Sequence, residues 1–249
     1  MAVVIATFPS GLIGEFRGMK AKDFDAFVRA KSLAGFNSLV NSCCSGVSDP
    51  GPYNIPEGAK FDWVNALLGD KFYALLQIYR ATYGKLYKFE TKCTNPVCAN
   101  KLNASIDLTA MTVRPLPEES RRVFVSGGNV FDGRVPAEES SYGQDINFKF
   151  RLATGVTELE HSRAKKRAIR EVTTAFLSRL ISVDGVGAGQ LEEWAEDIDM
   201  SDYNAMLDVM DAHDCGVDTE VEVACPHCGN TMAMPLPLDQ SFFKPPKKT

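Results

Sequence analysis

The sequence predicts an α+β protein with a helical N-terminal region and a helical insertion between the two halves of a four-cysteine ribbon. Three observations carry this prediction. Two cysteine pairs, Cys93 with Cys98 and Cys225 with Cys228, have the spacing of metal ligands. Apolar residues alternate beside each pair, as in strands, and the segments before and between the pairs have apolar residues at helical spacing.

The two cysteine segments share one layout. Four residues separate Cys93 from Cys98, two separate Cys225 from Cys228, and a small residue and then asparagine follow each pair. Alternate positions after each pair are apolar: Leu102, Ala104, Ile106 and Leu108 in the first segment, and Met232, Met234, Leu236 and Leu238 in the second. This pattern predicts a strand, a metal-binding turn and a second strand in both segments.

Four cysteines in two such turns predict a split zinc ribbon that holds one structural ion. Four thiolates complete a tetrahedral site and leave no coordination position for a substrate. Closing the loop over residues 99–224 costs roughly 4 kcal/mol, which a structural zinc worth roughly 10–16 kcal/mol offsets. The alternative is two unrelated pairs, either buried thiols or a redox dithiol, but a redox motif would leave the second pair unexplained.

Length, charge and cysteine content bound the class of protein. The 249 residues suffice for one domain with an insertion or for two small domains. The net charge of −5 argues against a general nucleic-acid binder. We expect no membrane span and no signal peptide, because there is no run of eighteen apolar residues and no basic N-terminal region. Cys43, Cys44 and Cys215 are left over, which favours a reducing compartment.

The same patterns divide the chain into five regions. We predict an N-terminal arm, a helical region, a first ribbon hairpin, an insertion of β-hairpin, strand and helices, and a second ribbon hairpin with a tail, at residues 1–18, 19–84, 85–108, 109–218 and 219–249. The arm is apolar and glycine-rich. Its composition supports equally a cover for the chain's own core and a contact with a neighbouring subunit.

The helical region ends in a segment that is apolar on most sides, around Leu75, Ile78 and Tyr79, and we expect it to be buried. Arg80 in that setting is either a paired structural cation or a contact to another subunit. We list it as a candidate partner-binding residue.

In the insertion, two apolar runs around Gly127 and Gly128 predict a β-hairpin formed by residues 123–125 and 130–131. Residues 133–145 are polar. Residues 146–152 alternate cleanly and predict a strand, and a long helix is expected from Thr154 or Thr157 to about Ile181.

One face of that predicted helix is strongly basic. It carries Arg163, Lys165, Lys166, Arg167 and Arg170. A basic face is usually solvated, but it also suggests an alternative function, a zinc-ribbon protein that binds nucleic acid. The acidity of the whole chain makes nucleic acid the weaker alternative.

The tail carries two adjacent aromatic residues, Phe242 and Phe243, ahead of a basic proline segment. They either pack on their own ribbon or insert into a partner protein. We predict the partner contact.

The order of these features resembles a known family. A helix ending Ile78-Tyr79-Arg80-Ala81-Thr82-Tyr83-Gly84 precedes the first cysteine pair, and a strand ending Phe150-Arg151-Leu152-Ala153-Thr154-Gly155 leads to the long helix. The chain then closes on Cys225-Pro226-His227-Cys228-Gly229 and Leu238-Asp239-Gln240-Ser241-Phe242-Phe243. Over roughly residues 60–243 this resembles the baseplate hub and hub-assembly proteins of contractile-tailed bacteriophages.

The resemblance implies a non-enzymatic structural component or assembly factor of the tail baseplate. Its partners would be other tail proteins, and it would be made in the host cytoplasm and built into the virion. The residues agree with the absence of catalysis. A catalytic zinc needs an open position and a nucleophile needs a base, yet none of the three histidines stands beside an isolated candidate nucleophile. We therefore expect no enzyme, no small-molecule substrate and no membrane partner.

Overall fold

The computed structural model describes residues 3–30, 33–56, 58–165, 171–236 and 242–243, without the side chains of residues 33–34, 162–165 and 171. Helices and small antiparallel sheets alternate along the chain. In chain order the elements are β1 (Val3–Thr7), β2 (Ile13–Arg17), α1 (Ala21–Ala30), α2 (Leu33–Cys43), β3 (Cys44–Asp49), α3 (Leu68–Tyr83), β4 (Leu86–Lys92), β5 (Lys101–Asp107), β6 (Val113–Arg114), α4 (Glu118–Val125), β7 (Phe131–Val135), β8 (Ile146–Phe150), α5 (Gly155–Lys165), α6 (Glu171–Arg179), β9 (Leu180–Val183), α7 (Leu191–Asp197), α8 (Met200–Ala212), β10 (Gly216–Val217), β11 (Glu220–Ala224) and β12 (Thr231–Pro235). The predicted α+β class is confirmed.

The first residues form a sheet over the chain's own core. Strands β1, β2 and β3 are antiparallel neighbours in that order, and β1 pairs with β2 without interruption from Val3↔Arg17 to Thr7↔Ile13. Phe8 in the turn and Phe16 in β2 are buried. Of the two roles that the sequence left open for these residues, the structure supports the cover for the chain's own core.

Helix α3 lies at the centre of this first core. Leu75, Leu76, Ile78 and Tyr79 are all buried, as expected for a helix that is apolar on most sides. Trp63, in a short 3₁₀ turn before the helix, packs with its ring centroid 5.2 Å from that of Phe8. Aromatic rings from distant parts of the sequence therefore share one apolar interior.

A second core forms around the sheet β7-β8-β9 and helices α6 and α8. The predicted hairpin around Gly127 is wrong, because residues 118–125 form helix α4 and β7 pairs with β8 instead. Glu118 and Glu119 in the first turn favour the helix through its dipole. In an apolar run as short as residues 123–125, periodicity does not distinguish a strand from a helix.

The expected helix over residues 154–181 is corrected at its far end. The structure has α5 up to Lys165 and α6 from Glu171, and residues 166–170 between them lie outside the described residues. Leu180 and Val183 belong to strand β9, which pairs with β8. Pairing with β8 and burial of Leu180 and Val183 outweigh the helical spacing of the residues before them.

Buried polar contacts join these parts. The carboxylate of Asp70 in α3 accepts hydrogen bonds from the Ser10 backbone N–H at 2.9 Å and from the Tyr53 hydroxyl at 2.6 Å. Burial raises the pKa of Asp70 to about 6 despite these bonds. Next to it, the Lys71 ammonium pairs with Glu158 of α5, and burial lowers the pKa of Lys71 to about 8. Within the described residues, no helix has the length and apolar content to cross a membrane.

Candidate metal centre

The four cysteines lie at the turn ends of two β-hairpins. Strands β4 and β5 pair from Leu86↔Asp107 to Lys92↔Lys101, which places Cys93 and Cys98 in the connecting turn. Strands β11 and β12 pair from Glu220↔Pro235 to Ala224↔Thr231, which places Cys225 and Cys228 in theirs. The period-two alternation around both cysteine pairs predicted these two hairpins.

The four Sγ atoms form one compact group. All of them lie within 4.8 Å of one another. Cys93 Sγ is 3.6 Å from Cys228 Sγ, and Cys98 Sγ is 3.8 Å from Cys225 Sγ, so each close contact joins the two hairpins. A disulfide has an S–S distance of about 2.05 Å, so these thiols are not bonded to each other.

These distances fit a tetrahedral metal ion. With zinc–sulfur bonds of about 2.3 Å, a tetrahedron places its sulfur atoms about 3.8 Å apart. The two close contacts across the hairpins match that edge. The donor set, four soft sulfurs, is the one that zinc takes in structural sites.

The two turns differ in length but share two backbone features. The Cys93 N–H donates to the Asn100 carbonyl at 2.9 Å, and the Cys225 N–H donates to the Asn230 carbonyl at 2.9 Å. The residue after the second cysteine has positive φ in both turns, 44° at Ala99 and 72° at Gly229. The small residue that follows each cysteine pair in the sequence is therefore the one that adopts the left-handed backbone conformation in its turn.

Hydrogen bonds to sulfur favour the thiolate form. The backbone N–H groups of Asn95 and His227 donate to Cys93 and Cys225. Burial, together with the neighbouring thiols, nevertheless raises the pKa of Cys93 to about 12. The His227 N–H lowers the pKa of Cys225 to about 7. A bound divalent cation would favour deprotonation of all four thiols.

Asparagine side chains complete the surroundings of the sulfurs. The Asn100 amide donates to Cys98 Sγ at 3.4 Å, and the Asn95 amide lies 3.9 Å from Cys228 Sγ across the two hairpins. Asn230 donates to Thr94 Oγ1 at 3.1 Å, which also joins the two turns. An asparagine follows each cysteine pair in the sequence, and the structure gives each of them a role. The recurrence of that residue was the available signal.

A small apolar core packs against the buried side of the cysteine cluster. Cys93 and Cys225 are buried with Leu102, Val223 and Met232, whereas Cys98 is half-buried and Cys228 is exposed. One side of the cluster therefore rests on packed side chains and the other faces solvent. This environment holds the ligand positions while leaving a path for a metal ion to enter.

Phe242 and Phe243 lie away from this centre, in the first core. Both are 0% exposed, and the Tyr83 hydroxyl donates to the Phe243 carbonyl at 2.9 Å. The Phe242 ring is 4.8 Å from that of Tyr79, and the Phe243 ring is 5.7 Å from that of Phe27. Our expectation that these rings insert into a partner does not agree with this placement, because they already fill the chain's own interior.

The structure gives less on the other candidate residues. Arg80 is half-buried near the end of α3, where its Nη1 donates to Gln77 Oε1 at 2.5 Å. A partner contact at Arg80 stays a prediction. On the basic face, the side chains of Arg163 and Lys165, and all of Lys166, Arg167 and Arg170, lie outside the described residues. The nucleic-acid alternative therefore also stays a prediction.

Comparison with known proteins identifies the family. No curated protein gives a significant match to the chain, and no solved structure does. Residues 16–244 match the family model described as T4 bacteriophage base plate protein. That range contains both hairpins, all four clustered cysteines and the rings of Phe242 and Phe243. On this match, the chain belongs to the T4 bacteriophage base plate protein family.

Proposed function

We propose that the protein is a non-enzymatic structural component, or an assembly factor, of the hub of a phage tail baseplate, and that one structural zinc ion shapes it. The observation that supports this most directly is the group of four Sγ atoms within 4.8 Å of one another in a chain of the baseplate family. A site filled by four thiolates has no open position, so its zinc would stabilise the fold rather than bind a substrate.

The proposed ion would fix the two hairpins relative to the first core. Tyr87 of β4 packs 4.8 Å from Phe242, ring to ring, and Leu236, just after β12, is buried in the same core. Each hairpin is thus tied to the core at its base, and the metal would tie the two tips together. Two-stranded hairpins are marginally stable alone, so this clamp would give them a fixed direction.

Fixed surfaces are what a baseplate subunit needs to hold its neighbours at defined angles. We propose other tail proteins as its partners, the tail of the virion as its final location and the host cytoplasm as the place of synthesis. No small-molecule substrate, membrane or nucleic acid is part of this proposal.

Metal analysis of the purified protein tests the zinc proposal. We expect one zinc per chain, and we expect Cys225→Ser to lose it, because three thiolates bind less tightly than four. Cys44→Ser is the matched control, since Cys44 is a half-buried cysteine outside the cluster, and it should keep the metal. Protein without zinc, protein with iron in its place, or equal zinc in both variants would contradict the proposal.

Mass spectrometry of purified virions tests the structural role. A fixed ratio to other tail proteins supports a component of the baseplate, and presence only in assembly intermediates supports an assembly factor. The competing function, nucleic-acid binding, predicts affinity for an oligonucleotide that falls steeply with salt. Such binding, with no association with tail proteins, would overturn the proposed role.

A further inference from the structure

Strand β1 is an open edge of the N-terminal sheet. It pairs with β2 on one side, and no other described strand pairs with it. Val3 and Ile5 are 49% and 69% exposed, and Thr7, the last residue of the strand, is exposed as well. The strand has no charge, no proline and no register shift over its five residues. An edge of this kind presents free backbone N–H and C=O groups to another strand.

The other edges of the described sheets carry features that discourage such pairing. Exposed charges lie on β4, β7 and β11, for example Lys88, Asp132 and Glu220. Strand β12 ends in Pro235, and β3 has two register shifts against β2. Strand β9 is uncharged but has four residues and is followed directly by Asp184. Among the longer edge strands in the part of the chain that the structure describes, β1 alone lacks this protection.

We propose that β1 pairs antiparallel with β1 of a second copy of this chain, centred on Ile5. Centring on the middle residue lets all five residues of each strand pair, with Ile5 opposite Ile5 and Val3 opposite Thr7. The three residues on the exposed face, Val3, Ile5 and Thr7, are all β-branched, the type that packs well across strands. The result is a six-stranded sheet through a two-fold axis, the commonest symmetry of homodimers.

Charge does not oppose this pairing. Glu15, the one acidic residue of β1 and β2, pairs with Ile5 and lies on the same face of the sheet. In the six-stranded sheet the two Glu15 side chains are three strand spacings apart, about 14 Å. That separation exceeds the Debye length of about 8 Å at physiological salt, so their repulsion is screened.

The interface is small. A strand of five residues is about 17 Å long. The area that one such edge buries is well below the about 800 Å² that each partner buries in a stable dimer. We therefore expect weak, concentration-dependent association that becomes effective where copies are held close together. The pairing rests on the sheet edge alone and does not depend on the metal centre.

Disulfide trapping tests both the partner and the register. Ile5→Cys should form a disulfide-linked dimer at least tenfold faster than Val3→Cys or the native protein, because only residue 5 faces itself. Val3→Cys mixed with a size-tagged Thr7→Cys should form the mixed dimer. All three positions are exposed, so the substitutions leave the core unchanged, and the native protein controls for its own cysteines.

Sedimentation provides the independent readout. The native protein should associate with rising concentration, and Ile5→Lys should abolish the association without lowering the melting temperature. Equal trapping rates at residues 3 and 5, or a native protein that stays monomeric while Ile5→Cys gives no excess dimer, would overturn the proposal. In that case the edge would serve a strand of a different protein or none.

Discussion

The two cysteine turns carry different residues at the position after the second cysteine, and this difference predicts opposite effects of two substitutions. Ala99 and Gly229 both have positive φ, at 44° and 72°. A side chain in the left-handed region costs roughly 1–2 kcal/mol. Glycine avoids that cost but loses roughly 0.4–1 kcal/mol through the greater freedom of the unfolded chain. Ala99→Gly should therefore raise the free energy of unfolding by about 0.5–1 kcal/mol, and Gly229→Ala should lower it by about as much.

At Gly229 the expected loss of stability comes from backbone strain alone. A Cβ added at Gly229 would meet no atom within 4 Å, so the substitution introduces strain without a clash. Gly189→Ala is the matched control, because that site is equally open but has no positive φ. It should be neutral or slightly stabilising. For a chain of this length, about 1 kcal/mol shifts the melting temperature by roughly 2–4 °C.

Calorimetry on metal-saturated protein measures these shifts with the ligand set intact. We expect a higher melting temperature for Ala99→Gly, a lower one for Gly229→Ala and little change for Gly189→Ala. If Ala99→Gly is destabilising while Gly229→Ala is harmless, the two turns do not share the backbone geometry described above.

Three further predictions concern the cores. Phe243→Ala should cost about 3–5 kcal/mol of unfolding free energy, as for a fully buried aromatic ring, while Val97→Ala, at a site 95% exposed, should change it by less than about 0.5 kcal/mol; equal effects in urea unfolding would contradict the burial. Because burial raises the pKa of Asp70 to about 6, its contribution to stability is complete below the unfolded value and is lost as pH rises through about 6, a difference of about 3 kcal/mol. Asp70→Asn should remove that part of the pH dependence between about pH 4 and about pH 7.5, and a wild-type slope in the variant would refute it. Lys71→Met should cost about 3 kcal/mol, because it leaves the Glu158 carboxylate, whose side chain is only 11% exposed, without its cation; the double variant with Glu158→Leu should recover most of the loss in chemical unfolding.

Local patterns predicted the cluster of four cysteines and the strands around it. The spacing of Cys93, Cys98, Cys225 and Cys228, with period-two alternation beside them, predicted two hairpins whose turns meet. The buried helix α3 was also predicted, because its segment is apolar on most sides, and strand β8 was predicted because its residues alternate cleanly. In these stretches the local preference of the chain agrees with its tertiary contacts.

The rest depends on contacts between distant residues. No local pattern shows that Phe243 packs on Phe27, and the same aromatic residues on a tail fit a partner contact equally well. Strand β1 is a strand because β2, six residues further along the chain, pairs with it. Leu180 and Val183 likewise become a strand only through pairing with β8. Short apolar runs such as residues 123–125 take the structure that their neighbours stabilise.

The packing of the first core has a consequence for synthesis. It joins Phe16, near the start of the sequence, to Phe242 and Phe243, more than two hundred positions later. Ribosomes synthesise a chain from its N-terminus. The surfaces of Phe27 and Tyr79 that contact Phe243 and Phe242 therefore stay exposed until those two residues have been made. A product that stops short of residue 242 leaves these apolar surfaces exposed to solvent. Such exposure favours proteolysis and aggregation. We therefore expect an interrupted chain to aggregate or be degraded more readily than one that includes both rings.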